Sequence, residues 1–172
     1  MGRRHAARLE EAREAPRPAD LRHRPRGPAL TLYLDTSALL KLYVDERGAA
    51  LVREHAAPPR RVATSLMAYV EARAAFARRR RAGDATPSEH RRVVRDLADD
   101  WDRFVRVDVT DTLVNRAGDL AETHRLRGYD AVHLASALWL RDRLPEAPLF
   151  ASWDDALDVA AQREGLPLLR AR

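Results

Sequence analysis

Four acidic residues stand where a chain could gather them at one place. Asp35 ends the apolar run Leu30-Thr31-Leu32-Tyr33-Leu34 and is followed by two hydroxyl residues, Thr36 and Ser37. Glu71 lies in an alanine-rich stretch. Its i±3 and i±4 neighbours are Met67, Ala68, Ala74 and Ala75, so no basic residue on its own helix pairs with it. Asp130 follows Gly128-Tyr129 at the head of an amphipathic segment, and Asp154, with Asp155 beside it, follows the apolar Leu149-Phe150-Ala151. Each acid also has an ordinary structural use, as a helix cap or as a negative charge near a helix N-terminus. Ser152-x-x-Asp155 reads as a capping arrangement, and spacing leaves open which of Asp154 and Asp155 projects from the strand edge. Taken together, four carboxylates at one edge would repel by several kcal/mol at an effective dielectric of ~20 unless a divalent cation joined them. The chemistry on offer is therefore that of a hard cation held by oxygen.

The elements that must position these acids follow from local pattern. Leu30–Leu34, Arg61–Thr64, Val105–Val109, Leu149–Ala151 and Leu166–Leu169 read as strands. Between them, helical spacing is expected over Ser37–Val44, Gly48–Ala57, Leu66–Arg81, Asp111–Arg127 and Tyr129–Leu144, with a last helix from Ser152 to about Glu164. Thr86-Pro87-Ser88-Glu89 is the strongest local signal, an N-cap threonine, a proline at the first helical position and a glutamate at the third, so a helix starts there and runs to about Phe104. Glycines 83, 128 and 165 serve as helix stops. Short strands separated by one or two helices imply parallel crossovers, hence an α/β fold, a three-layer α/β/α sandwich with a sheet of about five parallel strands. Acids that follow strands then share the carboxyl edge, where such sheets keep their sites.

Composition narrows the chemistry further. With 172 residues and 45% hydrophobic content the chain has room for one ordinary domain. It contains no cysteine, which removes disulfides, zinc–thiolate sites and thiol nucleophiles. No apolar run approaches the ~18 residues of a membrane span and no secretory signal opens the chain, so a cytoplasmic protein is expected. The net charge of +5 suits a phosphate-bearing partner, but much of it lies in residues 1–29, an arginine- and proline-rich segment expected to be a disordered tail ahead of a domain over 30–172.

Four stretches resemble the motifs of PIN-domain ribonucleases, and more narrowly the VapC-type toxins of bacterial type II toxin–antitoxin modules. They are Leu32-Tyr33-Leu34-Asp35-Thr36-Ser37, then Glu71 in Val70-Glu71-Ala72, then Tyr129-Asp130-Ala131-Val132-His133-Leu134-Ala135-Ser136, then Phe150-Ala151-Ser152-Trp153-Asp154. The likeness covers about Leu30 to Leu169. Ser152 stands where such toxins commonly have threonine, which keeps the hydroxyl. The resemblance implies a PIN-like fold and an endoribonuclease dependent on Mg²⁺ or Mn²⁺, with RNA as substrate, a small cognate antitoxin as partner and usually a homodimer. By motif it makes Asp35 and Asp130 direct ligands of the metal. Glu71 and Asp154 become ligands through water or on the side of a second metal, while Thr36, Ser37 and Ser152 hold carboxylates or substrate. His133, one turn after Asp130 on an apolar stripe, reads as a core or supporting histidine.

Rival functions fit less well. A phospho-acceptor receiver wants a lysine after its last strand, and the one lysine here is Lys41. A haloacid-type phosphatase wants a second acid two residues after Asp35, where Ser37 stands. A non-catalytic nucleic-acid-binding module has no need of Glu71 in an alanine-rich stripe. A PIN nuclease acting in RNA processing or on DNA, without an antitoxin, stays open on sequence.

Overall fold

The computed structural model of the chain describes residues 30–58 and 60–169. The expected disorder of residues 1–29 falls outside the described residues. Four strands and seven helices follow in the order β1 (Thr31–Leu34), α1 (Thr36–Leu40), α2 (Ala49–Ala56), β2 (Arg61–Ser65), α3 (Ala68–Ala82), α4 (Pro87–Trp101), β3 (Val105–Val107), α5 (Asp111–His124), α6 (Gly128–Arg141), β4 (Leu149–Ala151) and α7 (Asp155–Arg163).

The strands form one parallel sheet in the order β3-β2-β1-β4. The chain thus walks outward from β1 through β2 to β3 and then returns to pair β4 on the other side of β1. That reversal puts the crevice of the open sheet between β1 and β4, at their carboxyl ends. Every residue of β1 is buried, as the continuous apolar run requires of a strand covered on both faces. Tyr33 faces one core with Phe150 and residues of α5, α6 and α7, while Leu32 and Leu34 face the other with residues of α1 to α4. The three-layer α/β/α arrangement follows from this alternation.

Where the sequence reading and the structure part, local physics says why. The expected fifth strand, Leu166–Leu169, is reduced to a single parallel bridge between Phe150 and Leu168. Two backbone bonds tie it down, Phe150 N–H to Pro167 C=O and Leu169 N–H to Phe150 C=O, both at 2.7 Å. Pro167 has no N–H to continue a ladder. The helix after β1 loses its α character at Lys41, and the amides of residues 41–43 bond three residues back, so the helical sense of the Leu39-Leu40-Tyr43-Val44 pattern survives in a tighter turn. Gly128 does not stop α5. Arg125, at φ 56°, turns the chain, and Gly128 opens α6. The Thr86 capping box is present with both of its reciprocal bonds.

Candidate active site

The four acids all reach the carboxyl edge of the sheet, from two strand ends and two helix starts. Asp35 follows β1 directly, its amide donating to Ala151 C=O at 3.1 Å, so β4 locks its backbone in place. Its carboxylate caps α1 by accepting from Ala38 N at 2.8 Å and takes the Ser37 hydroxyl at 2.8 and 3.0 Å. Capping and site therefore coincide in one side chain. At 5% exposure it is a buried carboxylate whose hydrogen-bond donors here are neutral. Burial pushes its pKa above the usual range, against the opposing pull of His133 and these hydrogen bonds.

Glu71 has the partner that its apolar surroundings demand, and it comes from α6. His133 Nε2 lies 2.9 Å from Glu71 Oε2, and the Thr36 hydroxyl donates to the same oxygen at 2.6 Å. His133 Nδ1 in turn meets the buried Tyr33 hydroxyl at 3.0 Å. The proton positions follow from this network. Thr36 gives its one hydrogen to Glu71, and an ionised carboxylate only accepts, so Nε2 carries a hydrogen. In the neutral imidazole Nδ1 then accepts from Tyr33, whose pKa is raised well above its ordinary value by burial, so that it keeps its proton. For Glu71, burial is the largest single influence and raises the pKa. The His133 and Thr36 bonds, with the electrostatic pull of His133 and Arg127, outweigh it and hold the carboxyl below its ordinary value.

Asp130 and Asp154 share an arginine. Arg127 donates from Nε to Asp130 Oδ2 at 2.7 Å and from Nη2 to Asp154 Oδ2 at 2.8 Å. Nothing in sequence spacing singled out Arg127. It stands at i−3 from Asp130, a pairing distance on a helix, and that was the available signal. The capping arrangement expected of Ser152 belongs instead to Asp154, whose Oδ1 accepts from Leu157 N at 3.0 Å, while Ser152 Oγ accepts from Asp154 N at 2.9 Å. Asp155 is the exposed neighbour. Ser37 ties the two halves together, because its oxygen also accepts from Trp153 N at 2.8 Å.

At this edge Asp35 is thus met by neutral donors, Glu71 by an imidazole, and Asp130 and Asp154 by one guanidinium. Among the described residues no three acid or imidazole groups stand close enough to share one ion in this arrangement. The donor set still suits a hard cation, being oxygen throughout apart from an imidazole already committed to Glu71 and Tyr33. Asp35 is the most buried of the four acids, and its hydrogen-bond donors are neutral.

Residues 32–161 match the PIN domain family. The chain belongs to that family. Over 134 residues this PIN domain is 40% identical to ribonuclease VapC45 of Mycobacterium tuberculosis (strain CDC 1551 / Oshkosh), covering 78% of this chain and 91% of that one. Ribonuclease VapC49 of M. tuberculosis (strain ATCC 25618 / H37Rv) matches with the same identity and coverage. In three dimensions the PIN domain is similar to a chain of a toxin–antitoxin complex from Klebsiella pneumoniae, with a TM-score of 0.51 at 20% identity, over 72% of this chain and 86% of that one. That likeness concerns the fold. Among the described residues no helix is long and apolar enough to cross a membrane.

Proposed function

We propose that this PIN domain is a metal-dependent endoribonuclease, the toxin of a toxin–antitoxin pair, which hydrolyses RNA phosphodiester bonds at the edge formed by Asp35, Glu71, Asp130 and Asp154. The observation that supports it most is the buried Asp35 carboxylate, held by neutral donors at the sheet's switch point, in a chain 40% identical to proteins named ribonucleases. In this reading Asp35 and Asp130 would hold Mg²⁺ or Mn²⁺ directly and Glu71 and Asp154 through water. Such an ion supplies charge neutralisation at phosphorus and a more acidic water.

The chain's own residues do the positioning. Ser37 and the Ala38 amide fix Asp35, and Ser37 couples it to the loop that carries Asp154. Thr36 and His133 both engage Oε2 of Glu71, which leaves Oε1 as the oxygen to orient a water. Because Glu71 is held ionised, it keeps that role across the neutral range. A small antitoxin would cover the edge, and Leu66 and Val70, exposed at the start of α3, offer apolar surface for it. A homodimer and a cytoplasmic location complete the reading.

Purified protein, freed of contaminating nuclease, should cut RNA with Mg²⁺ or Mn²⁺ and stop with EDTA. Asp35→Asn and Asp130→Asn should fold and fail to cut. Full cleavage in EDTA would overturn the reading. Expression should arrest bacterial growth, with relief on co-expression of the small protein encoded beside it. Harmless expression of folded, RNA-cutting protein would remove the toxin role and leave the nuclease.

A further inference from the structure

Arg127 is out of place by the rules that govern helix ends. It occupies the N-cap of α6 in an extended conformation, with no side-chain capping bond, and arginine is not a capping residue. A guanidinium at a helix N-terminus also opposes the macrodipole. What holds the side chain there is acid. One edge of its fork, Nε and Nη2, meets Oδ2 of Asp130 and Oδ2 of Asp154, and so bridges the starts of α6 and α7. The two carboxylates are 17% and 30% exposed, whereas the arginine is 77% exposed. Asp154 is anchored besides by its capping bond from Leu157 N, Asp130 is the more buried of the two acids, and the guanidinium that joins them lies mostly in solvent. Asp130, then Asp154 and Glu71, hold its proton more firmly than usual, so three of the four acids act on this one charge.

We propose that Arg127 is a built-in counter-ion that competes with a divalent cation for Asp130 and Asp154, and so sets the metal affinity of the site. This rests on the reading of those acids as metal-holding. Both cations need the same two carboxylates, and a divalent ion meets a site already carrying a positive charge. The arginine keeps the acids from repelling one another before metal arrives, and it swings outward when metal binds. It is a positioning residue for the cation and takes no part in bond cleavage.

Calorimetric titration with Mn²⁺ alone, without RNA, tests this on wild type, Arg127→Gln, Arg127→Lys and Arg91→Gln, the last removing an exposed charge elsewhere on the surface. Arg127→Gln should bind Mn²⁺ roughly tenfold tighter. Arg127→Lys, which lacks the fork that spans two carboxylates, should fall between it and wild type. Arg91→Gln should match wild type. In EDTA the Gln variant should melt below wild type, and saturating Mn²⁺ should close that gap, since the arginine is then displaced in both. A merely structural arginine predicts a gap that persists in Mn²⁺ and an unchanged affinity, and either result overturns the proposal. Wild type that binds no Mn²⁺ would overturn the metal-site reading itself, a different failure from one confined to Arg127.

Discussion

Removing a single oxygen at Tyr33 separates the hydrogen-bond network from the packing around it. Tyr33 is fully buried, and its ring stacks on Phe150 at 5.5 Å and 6°. Tyr33→Phe keeps that stack and deletes only the hydroxyl that meets His133 Nδ1 at 3.0 Å. His133 is itself 2% exposed, so no water replaces the lost donor. A buried acceptor left without a partner costs about 1–3 kcal/mol, and the hydroxyl's own relief from desolvation offsets part of that. The net expectation is about 1–2 kcal/mol, or roughly 3–8 °C in melting temperature for a domain of this size. Thermal melts in EDTA measure it without interference from metal. The same deletion should change the nitrogen chemical shift of Nδ1 more than that of Nε2, because Nε2 keeps Glu71. A variant that melts with wild type and shows an unchanged Nδ1 resonance would refute the assigned proton positions.

Two further outcomes follow from the same geometry. Glu71→Gln at neutral pH should lower stability by about 1 kcal/mol, since it loses the charge component of the bonds from His133 and Thr36. The folded pKa of Glu71 is depressed, so its contribution is present above the unfolded value of about 4.3 and is lost as pH falls through the folded value; the gap between the two proteins should therefore narrow below about pH 4. An equal gap in melts at pH 7 and pH 3 would contradict that pairing. Gly48→Ala should destabilise more than Gly83→Ala, although both sit at positive φ of 89° and 85°. A Cβ at Gly48 would stand 2.2 Å from Trp153 in the loop before Asp154, while one at Gly83 meets nothing within 4 Å. Gly83→Ala should show the backbone cost alone, about 1 kcal/mol, and equal melting losses would mean that Trp153 yields freely.

The order of elements was legible because each depends on local signals. The period of apolar residues, the Thr86 capping box and the apolar run of β1 were enough to place α4 and the central strand. The acids were legible as a set because three follow a strand or open a helix, and one edge of a parallel sheet collects such positions. Their pairing was not. Glu71 visibly lacked a partner on its own helix, but that the partner is His133, 62 positions away, depends on how α3 and α6 meet over the sheet. Spacing along one chain does not carry that information. Ser152 and Asp154 show a finer limit. Both residue types cap helices; β4 ends at Ala151 as expected, but α7 starts only at Asp155, so the cap falls on Asp154, two residues beyond Ser152.

The site divides its acids by how their charge is met, and that division follows from burial. Asp35 lies deepest, where a long basic side chain would have to be desolvated to reach it, so the fold supplies a hydroxyl and an amide in place of a cation. Glu71, at 22% exposure, takes an imidazole that can be neutral and is held on its far side by a phenol. Asp130 and Asp154, nearer the rim, take an arginine whose head stays mostly in water. The guanidinium thus sits at the rim, while Asp35 has only neutral donors. On the reading proposed above, a divalent cation at this edge would meet Arg127 at the two outer acids before it reached Asp35.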